Sequence, residues 1–283
     1  GTMTNQIAIK VNTQPGDEVL CDASAHIYNY EGGGISFNSG VQAKLIVGER
    51  GRMSAKQIEE SINPTFDWLT RTRLVSVENT ANRAGGSYYS LQQMREIGEV
   101  CKLHCLRYHL DGARIFNAIV EAGYSASEIG KLFDSVSVCL SKGLGAPAGS
   151  VLLGSKEFIR QSRRIRKVFG GGMRQAGFIA AAGIYALDHH VDRLKEDHTR
   201  AKTIAETLTK ASYVDSVLPV DTNIIIFNLN DKLSPKKFVK QLSENGIKAV
   251  GFGKQAIRFV THLDFTDDML EQTVKILRTI QPS

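Results

Sequence analysis

A lysine amine becomes a nucleophile when it is held still and partly desolvated. Lys142 is placed for this. It stands in Ser141-Lys142-Gly143-Leu144-Gly145-Ala146-Pro147-Ala148-Gly149-Ser150, directly after the apolar run Val136-Ser137-Val138-Cys139-Leu140. A strand ends just before it, and the loop that carries it is made of small residues that let a flat ligand approach the backbone. A surface lysine on a glycine turn has the same local sequence, so other segments must decide its role.

His109-Leu110-Asp111-Gly112-Ala113-Arg114 is the second such segment. It closes a short apolar run, so Asp111 falls at the C-terminal end of a strand, where open α/β sheets bind their ligands. An acid there can pair with a protonated ring nitrogen, and Arg114 can clamp a carboxylate with two parallel hydrogen bonds. An Asp-Gly turn beside a solvated arginine would look alike. A lysine and an aspartate at two strand ends meet the requirements of pyridoxal phosphate. The lysine forms a Schiff base with it, and the acid keeps its ring nitrogen protonated so that the ring accepts electrons.

Two weaker segments fit the same chemistry. Gly1-Thr2-Met3-Thr4 precedes a helical run, and the free N–H groups of a helix start hold a phosphate, though most such starts are simple caps. His26 follows the strand-like Glu18-Val19-Leu20 through Cys21-Asp22-Ala23-Ser24-Ala25. It can stack on an aromatic ring, although a lone histidine is more often a packing residue.

With Glu78-Asn79-Thr80, Gly170-Gly171-Gly172-Met173-Arg174-Gln175 and Ile257-Arg258-Phe259, these segments follow one another along essentially the whole chain. In order and spacing they closely resemble the low-specificity L-threonine aldolases, pyridoxal phosphate enzymes of the aspartate-aminotransferase fold type (fold type I). The resemblance implies a role for each residue. Lys142 would hold the cofactor covalently, Asp111 would pair with its ring nitrogen, and Gly1 and Thr2 would bind its phosphate. Arg174 would assist at the cofactor of a neighbouring subunit. Arg114 and Arg258 would bind the substrate carboxylate. His26 would stack on the ring and is a candidate base, directly or through a water. Tyr30 and Glu31 would lie on the substrate side.

The resemblance also implies a homo-oligomer, a dimer sharing active sites and assembled into a tetramer, and a further N-terminal segment ahead of Gly1. One position departs from the pattern. Relatives commonly carry a second histidine directly after Glu-Asn-Thr, where this chain has Ala81. Recognition of a β-hydroxyl then falls to His26, a water or Asn82, and a bulkier substituent, as in phenylserine, gains room.

The implied reaction is retro-aldol cleavage of L-threonine, L-allo-threonine or a related β-hydroxy-α-amino acid to glycine and an aldehyde. The bond held perpendicular to the cofactor ring is the one that breaks. Alternatives are phenylserine cleavage, β-elimination or racemisation by a relative of the same family, or an inactive scaffold.

Composition agrees with a globular enzyme of the cytoplasm. No apolar run reaches membrane-spanning length. The net charge of +6 includes Arg160, Arg163, Arg164, Arg166 and Lys167, whose spacing fits the polar face of a helix carrying Phe158, Ile159 and Ile165, so neither nucleic acid nor membrane is expected as a partner. Cys21, Cys101, Cys105 and Cys139 read as reduced, buried thiols. Cys101, His104 and Cys105 on one helix lack a second ligand pair, so no metal is expected.

Strands are expected over Glu18–Cys21, Lys44–Val47, Leu74–Glu78, Leu106–Leu110, Ser135–Cys139 and Ser150–Leu153, with helices such as Ser54–Ile62 and Leu91–His104 between them. This order predicts an α/β fold with a mostly parallel central sheet and helices on both faces. A helical region from about Arg174 to Lys210 leads into a second α/β portion. There Asn223–Asn228 and Ile257–Thr261 read as strands, and Pro235–Asn245 and Asp267–Ile280 as helices. The expected domains are residues 1–210, binding the cofactor, and residues 211–283, a small C-terminal α/β domain.

Overall fold

The computed structural model describes residues 1–281. The chain forms two compact units, one of residues 1–83 and 87–191, the other of residues 84–86 and the chain from Asp192 onward.

The first unit contains, in order, α1 (Thr2–Asn12), β1 (Asp17–Asp22), α2 (His26–Asn29), α3 (Gly34–Ser39), β2 (Gln42–Ile46), α4 (Ala55–Ser61), β3 (Arg71–Glu78), α5 (Leu91–Leu103), β4 (Arg107–Gly112), α6 (Ile115–Ala122), α7 (Ala126–Gly130), β5 (Ser135–Cys139), β6 (Ser150–Gly154), α8 (Lys156–Val168) and α9 (Gly177–His189). The strand order is β2-β1-β3-β4-β5-β6. Strands β1 to β5 are parallel and β6 runs antiparallel to β5. Every residue of β1 and of β5 is buried. Burial at each position, rather than at alternate ones, means that helices cover both faces of the sheet. On these faces α1 packs with α3 and α8, and α4 packs with α5.

The sequence sets the helix starts through side chains. Ser54 and Ser90 each accept a hydrogen bond from the backbone N–H three residues on, while Gln57 and Gln93 reach back to the cap N–H, which satisfies two otherwise orphaned donors. The reversal at β6 follows from connection length. Residues 140–149 join β5 to β6 without a helix, and a parallel return needs a longer crossover.

Two expectations need correction. The helical region after Arg174 is broken, with α9 ending at His189 and α10 (Leu194–Thr209) starting in the second unit. Cys105 is also neither helical nor buried. Helix α5 stops at Leu103, His104 caps it, and Cys105 takes a left-handed φ of 54° with its residue exposed. Leu106 N donates to Cys101 O at 2.8 Å and Cys105 N to Lys102 O at 3.3 Å. This paired bonding ends helices whose next residue is left-handed, a position usually taken by glycine.

In the second unit α10 is followed by β7 (Val214–Val217), β8 (Ile224–Leu229), α11 (Pro235–Glu244), β9 (Val250–Gly251), β10 (Ala256–Val260) and α12 (Asp267–Thr279). The four strands form an antiparallel sheet in the order β7-β8-β10-β9. Phe227, Phe238, Leu242, Ile257 and Leu277 centre its core. Among the described residues no helix is long and apolar enough to cross a membrane.

Candidate active site

Parallel strands deliver their C-terminal ends to one edge of the sheet. Glu78 ends β3, Asp111 lies one residue before the end of β4, and Lys142 follows β5 by three residues. Glu78 and Asp111 are register partners, so their carboxyl groups stand side by side. Lys142 is half-buried. Its loop is tied down at both ends, with Leu140 N donating to Gly149 O at 3.1 Å and Ala146 N to Leu140 O at 3.0 Å. His190 Nδ1, 2.6 Å from Leu144 O, fastens the middle of the loop from the end of α9.

Helix α1 crosses one face of the sheet with its N-terminus at this edge, held by polar side chains. Thr4 Oγ1 and Ser137 Oγ are 2.7 Å apart, and Asn12 Nδ2 donates to Ser135 Oγ at 3.2 Å. Strand alternation puts Ser135 and Ser137 on one face of β5, and His109 and Asp111 on one face of β4. Between them sits Asn5. Its Nδ2 donates to Asp111 Oδ2 and to Glu31 Oε1, each at 2.9 Å, and its Oδ1 lies 3.2 Å from His109 Nε2. His109 Nδ1 is 2.9 Å from Ser135 Oγ. Burial pushes the His109 pKa down to about 4. The ring is therefore neutral; Nε2 donates to Asn5 Oδ1, and Nδ1 faces Ser135 Oγ at 2.9 Å and Ser135 O at 3.2 Å.

His26 opens α2 beyond β1. Its Nδ1 faces Glu31 Oε1 at 3.0 Å. Glu31 Oε2 accepts a 2.7 Å hydrogen bond from Gln6 Nε2. The Glu31 hydrogen bond raises the His26 pKa against the opposing effect of burial. For Glu31 burial is the largest influence and acts upward, but the bonds from His26, Asn5 and Gln6 outweigh it and hold the carboxyl below its ordinary range. Asp111 is raised by burial and by the charge of Glu31, while Lys142, His26 and Asn5 pull the other way. Ligand atoms of His26, Glu31 and Asp111 all lie within 4.8 Å of one another.

These residues suit a cofactor with a protonated ring nitrogen and a phosphate. Three buried carboxyl groups, Glu31, Glu78 and Asp111, crowd this edge, and a cationic ring nitrogen beside Asp111 relieves their mutual repulsion. The first turn of α1 has its N–H groups unused within the helix. A Cβ added to Gly1 would lie 2.9 Å from Cys139 Sγ, so the helix start approaches the strand end as only glycine allows. Lys142, Asp111, His26, Gly1 and Thr2 thus share one edge of one unit.

The other expected residues divide. Arg114 caps α6 in the same unit, with Nη1 3.1 Å from Asn82 Oδ1. Tyr30 tilts against the His26 ring with centroids 5.5 Å apart, and its hydroxyl accepts from Arg83 Nη1. Arg174 is exposed in the turn before α9 and makes no hydrogen bond or ion pair among the described residues. Arg258 stands on β10 of the second unit, its guanidinium 4.4 Å from the Phe252 ring centroid. Ala81 is buried, its N–H donating to Ser87 O at 2.8 Å, and Asn82 Oδ1 is taken by Arg114.

Asn5, Gln6, His109 and Glu78 were not recognised from sequence as part of this network. For Asn5 the signal was available, since it is one helical turn before the buried Ile9 and thus a polar residue on the inward stripe of α1.

A family model described as beta-eliminating lyase matches residues 1–232. Low-specificity L-threonine aldolase 1 of Arabidopsis thaliana is 39% identical over 281 residues, covering 97% of this chain and 78% of its own. The low specificity L-threonine aldolase of Escherichia coli K12 is 36% identical over 273 residues, 96% of this chain and 80% of its own. Among solved structures, a threonine aldolase of Leishmania major superposes with a TM-score of 0.85 over 98% of this chain and 81% of its own, at 20% identity.

Proposed function

The chain belongs to the low-specificity L-threonine aldolases, pyridoxal phosphate-dependent lyases of the beta-eliminating lyase family, and on that premise we propose that it cleaves L-threonine, L-allo-threonine or a related β-hydroxy-α-amino acid to glycine and an aldehyde. The observation that supports this furthest is the juxtaposition of Asp111 and Lys142 with the His26–Glu31 pair at one sheet edge.

When bound, the cofactor supplies an electron sink for the pair left on Cα as the Cα–Cβ bond breaks. The chain's residues do the rest. Lys142 would hold the group through its side-chain amine. Asp111, oriented by the hydrogen bond from Asn5, would pair with the ring nitrogen and favour its protonated form. Gly1 and Thr2, at the start of α1, would hold the phosphate, and Arg174 of a neighbouring subunit would add its charge there. Arg114 would take the substrate carboxylate, Tyr30 would border the substrate, and His26 would cover the ring.

Glu31 accepts the proton on Nδ1 of His26, which leaves Nε2 to take the β-hydroxyl proton. With alanine at position 81 and Asn82 engaged by Arg114, hydroxyl recognition rests on His26. A homo-oligomer belongs to the same proposal. Phe178, Ile184 and Tyr185 on α9 are exposed apolar side chains, as a subunit contact requires.

The test is product analysis. Protein loaded with pyridoxal phosphate is given L-threonine, L-allo-threonine and phenylserine, and glycine and aldehyde are expected in equal amounts. Ammonia together with 2-oxobutyrate from threonine, or phenylpyruvate from phenylserine, would identify an eliminating lyase instead. Borohydride reduction followed by peptide mass spectrometry should place the pyridoxyl group on Lys142, and Lys142→Ala should lose both the label and turnover. A label on another lysine overturns the assignment.

A further inference from the structure

Glu78 has no role in the reading above, yet it touches both halves of the site. Its Oε2 accepts from the backbone N–H of His26 at 2.7 Å, and its Oε1 accepts from the backbone N–H of Asn82 at 2.8 Å. Asn82 in turn holds Arg114 through its side-chain oxygen. His26 opens α2, Asn82 lies in the turn after β3, and Arg114 caps α6. We propose that Glu78 is a positioning residue whose ionised carboxylate registers the ring-covering His26 against the Arg114 carboxylate clamp. The proposal rests on the reading of this edge as a pyridoxal phosphate and amino-acid site.

A neutral residue cannot do the same work. Two backbone donors point at two different oxygens, and each oxygen of a carboxylate accepts. A carboxamide has one accepting oxygen, and its NH2 would face the second N–H donor to donor. A protonated carboxyl places its own hydrogen on one of the two oxygens. The hydroxyl oxygen is the weaker acceptor, so both donors are bound at full strength only in the charged form.

The surroundings oppose that charge. Asp111 on β4 stands beside Glu78, Cys21 faces it from β1, and Tyr89 faces it from the segment before α5. Among the groups acting on it, His26 when protonated favours the charge. Burial first and Asp111 second push the Glu78 pKa up to about 7. The bracket is thus fully formed only above neutrality. As the pH falls through about 7 one donor is left with the weaker hydroxyl oxygen, and either His26 or the Asn82–Arg114 arm loosens. A carboxylate acting only as packing would show no such link between ligand affinity and its own ionisation.

The experiment measures pyridoxal phosphate affinity of the apo-protein and glycine affinity of the holoenzyme between pH 6 and 8.5, in wild type, Glu78→Gln and Asn82→Ala. Loss of a hydrogen bond to a charged acceptor corresponds to about tenfold in each affinity it supports. Glu78→Gln is expected to weaken both by about tenfold. Wild-type glycine binding is expected to weaken by about tenfold from pH 8 to pH 6, and the Gln variant to lack that dependence. Asn82→Ala is expected to weaken glycine and leave pyridoxal phosphate affinity unchanged.

Glu78→Gln affinities within about twofold of wild type, or an unaltered pH dependence in that variant, would overturn the proposal. If the Gln variant does not fold, glycine binding in wild type that is flat from pH 8 to 6 overturns it equally. Failure of wild type to bind pyridoxal phosphate overturns this proposal and the reading it rests on. Normal binding without cleavage of β-hydroxy amino acids overturns only the proposed reaction.

Discussion

Nδ1 of His26 lies 3.0 Å from Oε1 of Glu31. The two residues are separated by one short helix, α2, so local backbone geometry sets the pair. What makes it more than a surface contact is that the Glu31 carboxyl is buried and its second oxygen is bonded to Gln6. A buried carboxylate with fixed hydrogen bonds holds an imidazole in one orientation and one tautomer.

Glu31→Gln should therefore alter catalysis through His26. The carboxylate raises the His26 pKa, so its removal lowers it. If His26 acts as a base it must be neutral, and the acid limb of the kcat/KM profile should move to lower pH. Turnover at pH 8 should fall by about tenfold or more, a modest share of what a positioned base contributes. A pH–rate profile of the variant decides this, and an acid limb that stays in place would remove His26 from the proton transfer.

His109 and Glu78 should pull stability in opposite directions over the same pH range. His109 falls from 6.5 to about 4 in the folded chain. Between those values the unfolded state binds more protons, so its contribution is lost as the pH falls from 6.5 towards 4. Glu78 rises from 4.5 to about 7, the folded state binds the extra proton, and its contribution is lost as the pH rises through that window. Each shift corresponds to roughly 3 kcal/mol, so the two largely offset one another. His109→Gln, which keeps a donor for Asn5, should uncover the Glu78 slope. Denaturant unfolding of the apo-protein should then show stability falling from pH 5 to 7 more steeply than in wild type. Parallel curves would mean that His109 is not neutral because of burial.

The sheet and the chemistry at its edge were legible because each has a strong local signature. An apolar run followed by Ser-Lys-Gly or Asp-Gly-Ala-Arg marks both the strand and the point where it stops. The strand read over Ser135–Cys139 has those bounds in the structure. The polar side chains that dock α1 were not legible in the same way. Thr4, Asn5 and Asn12 look like ordinary polar positions until β4 and β5 supply Ser135, Ser137, His109 and Asp111 as partners. Those pairings join residues more than 100 positions apart, and no short-range pattern encodes them. Glu78 is similar, because its two donors come from the start of α2 and the turn after β3, whose placement depends on the whole sheet.

Cys105 offers a check on helix termination. It is the exposed cysteine of the four, whereas Cys21 and Cys101 are buried and pushed up to about 12 by that burial. Native protein should react with a thiol reagent at Cys105 first, with Cys21 and Cys101 following only on unfolding. Because Cys105 is left-handed at φ 54°, Cys105→Gly relieves about 1–2 kcal/mol of strain and loses about 0.5–1 kcal/mol in chain entropy. A net gain of roughly 0.5–1 kcal/mol should appear as a raised Tm. A lowered Tm would show that the cysteine side chain contributes packing of its own.

Helix α9 should behave as a subunit contact. Phe178 is 84% exposed on a helix whose buried residues are only Gly183 and Ala186. Phe178→Glu introduces a charge that cannot be buried unpaired without a cost of several kcal/mol. Sedimentation of the holoenzyme should show a smaller species for the variant than for wild type. An identical mass for both would place the subunit contact elsewhere.

Gly34 should matter through Gln6. Helix α3 brings Gly34 so close to α1 that an added Cβ would lie 2.5 Å from Gln6 Cδ and Oε1. The Gln6 side chain is not free to swing away without loss, since its Nε2 donates to Glu31 Oε2 and its Oε1 accepts from Asn38 Nδ2. Gly34→Ala should therefore displace Gln6 and strip Glu31 of one donor. Overpacking of this kind costs about 1–3 kcal/mol, which a denaturant midpoint will register. The carboxyl of Glu31 should then rise from its lowered value, because a bond favouring its charged form is gone. A titration of the Glu31 carboxyl followed by NMR should therefore lie at higher pH in Gly34→Ala than in wild type. Gly34→Ala combined with Gln6→Ala separates the causes. If the small residue at position 6 restores stability but not the pH behaviour, Gln6 acts on Glu31 as described. If both are restored, the hydrogen bond from Gln6 has no part in setting the state of Glu31.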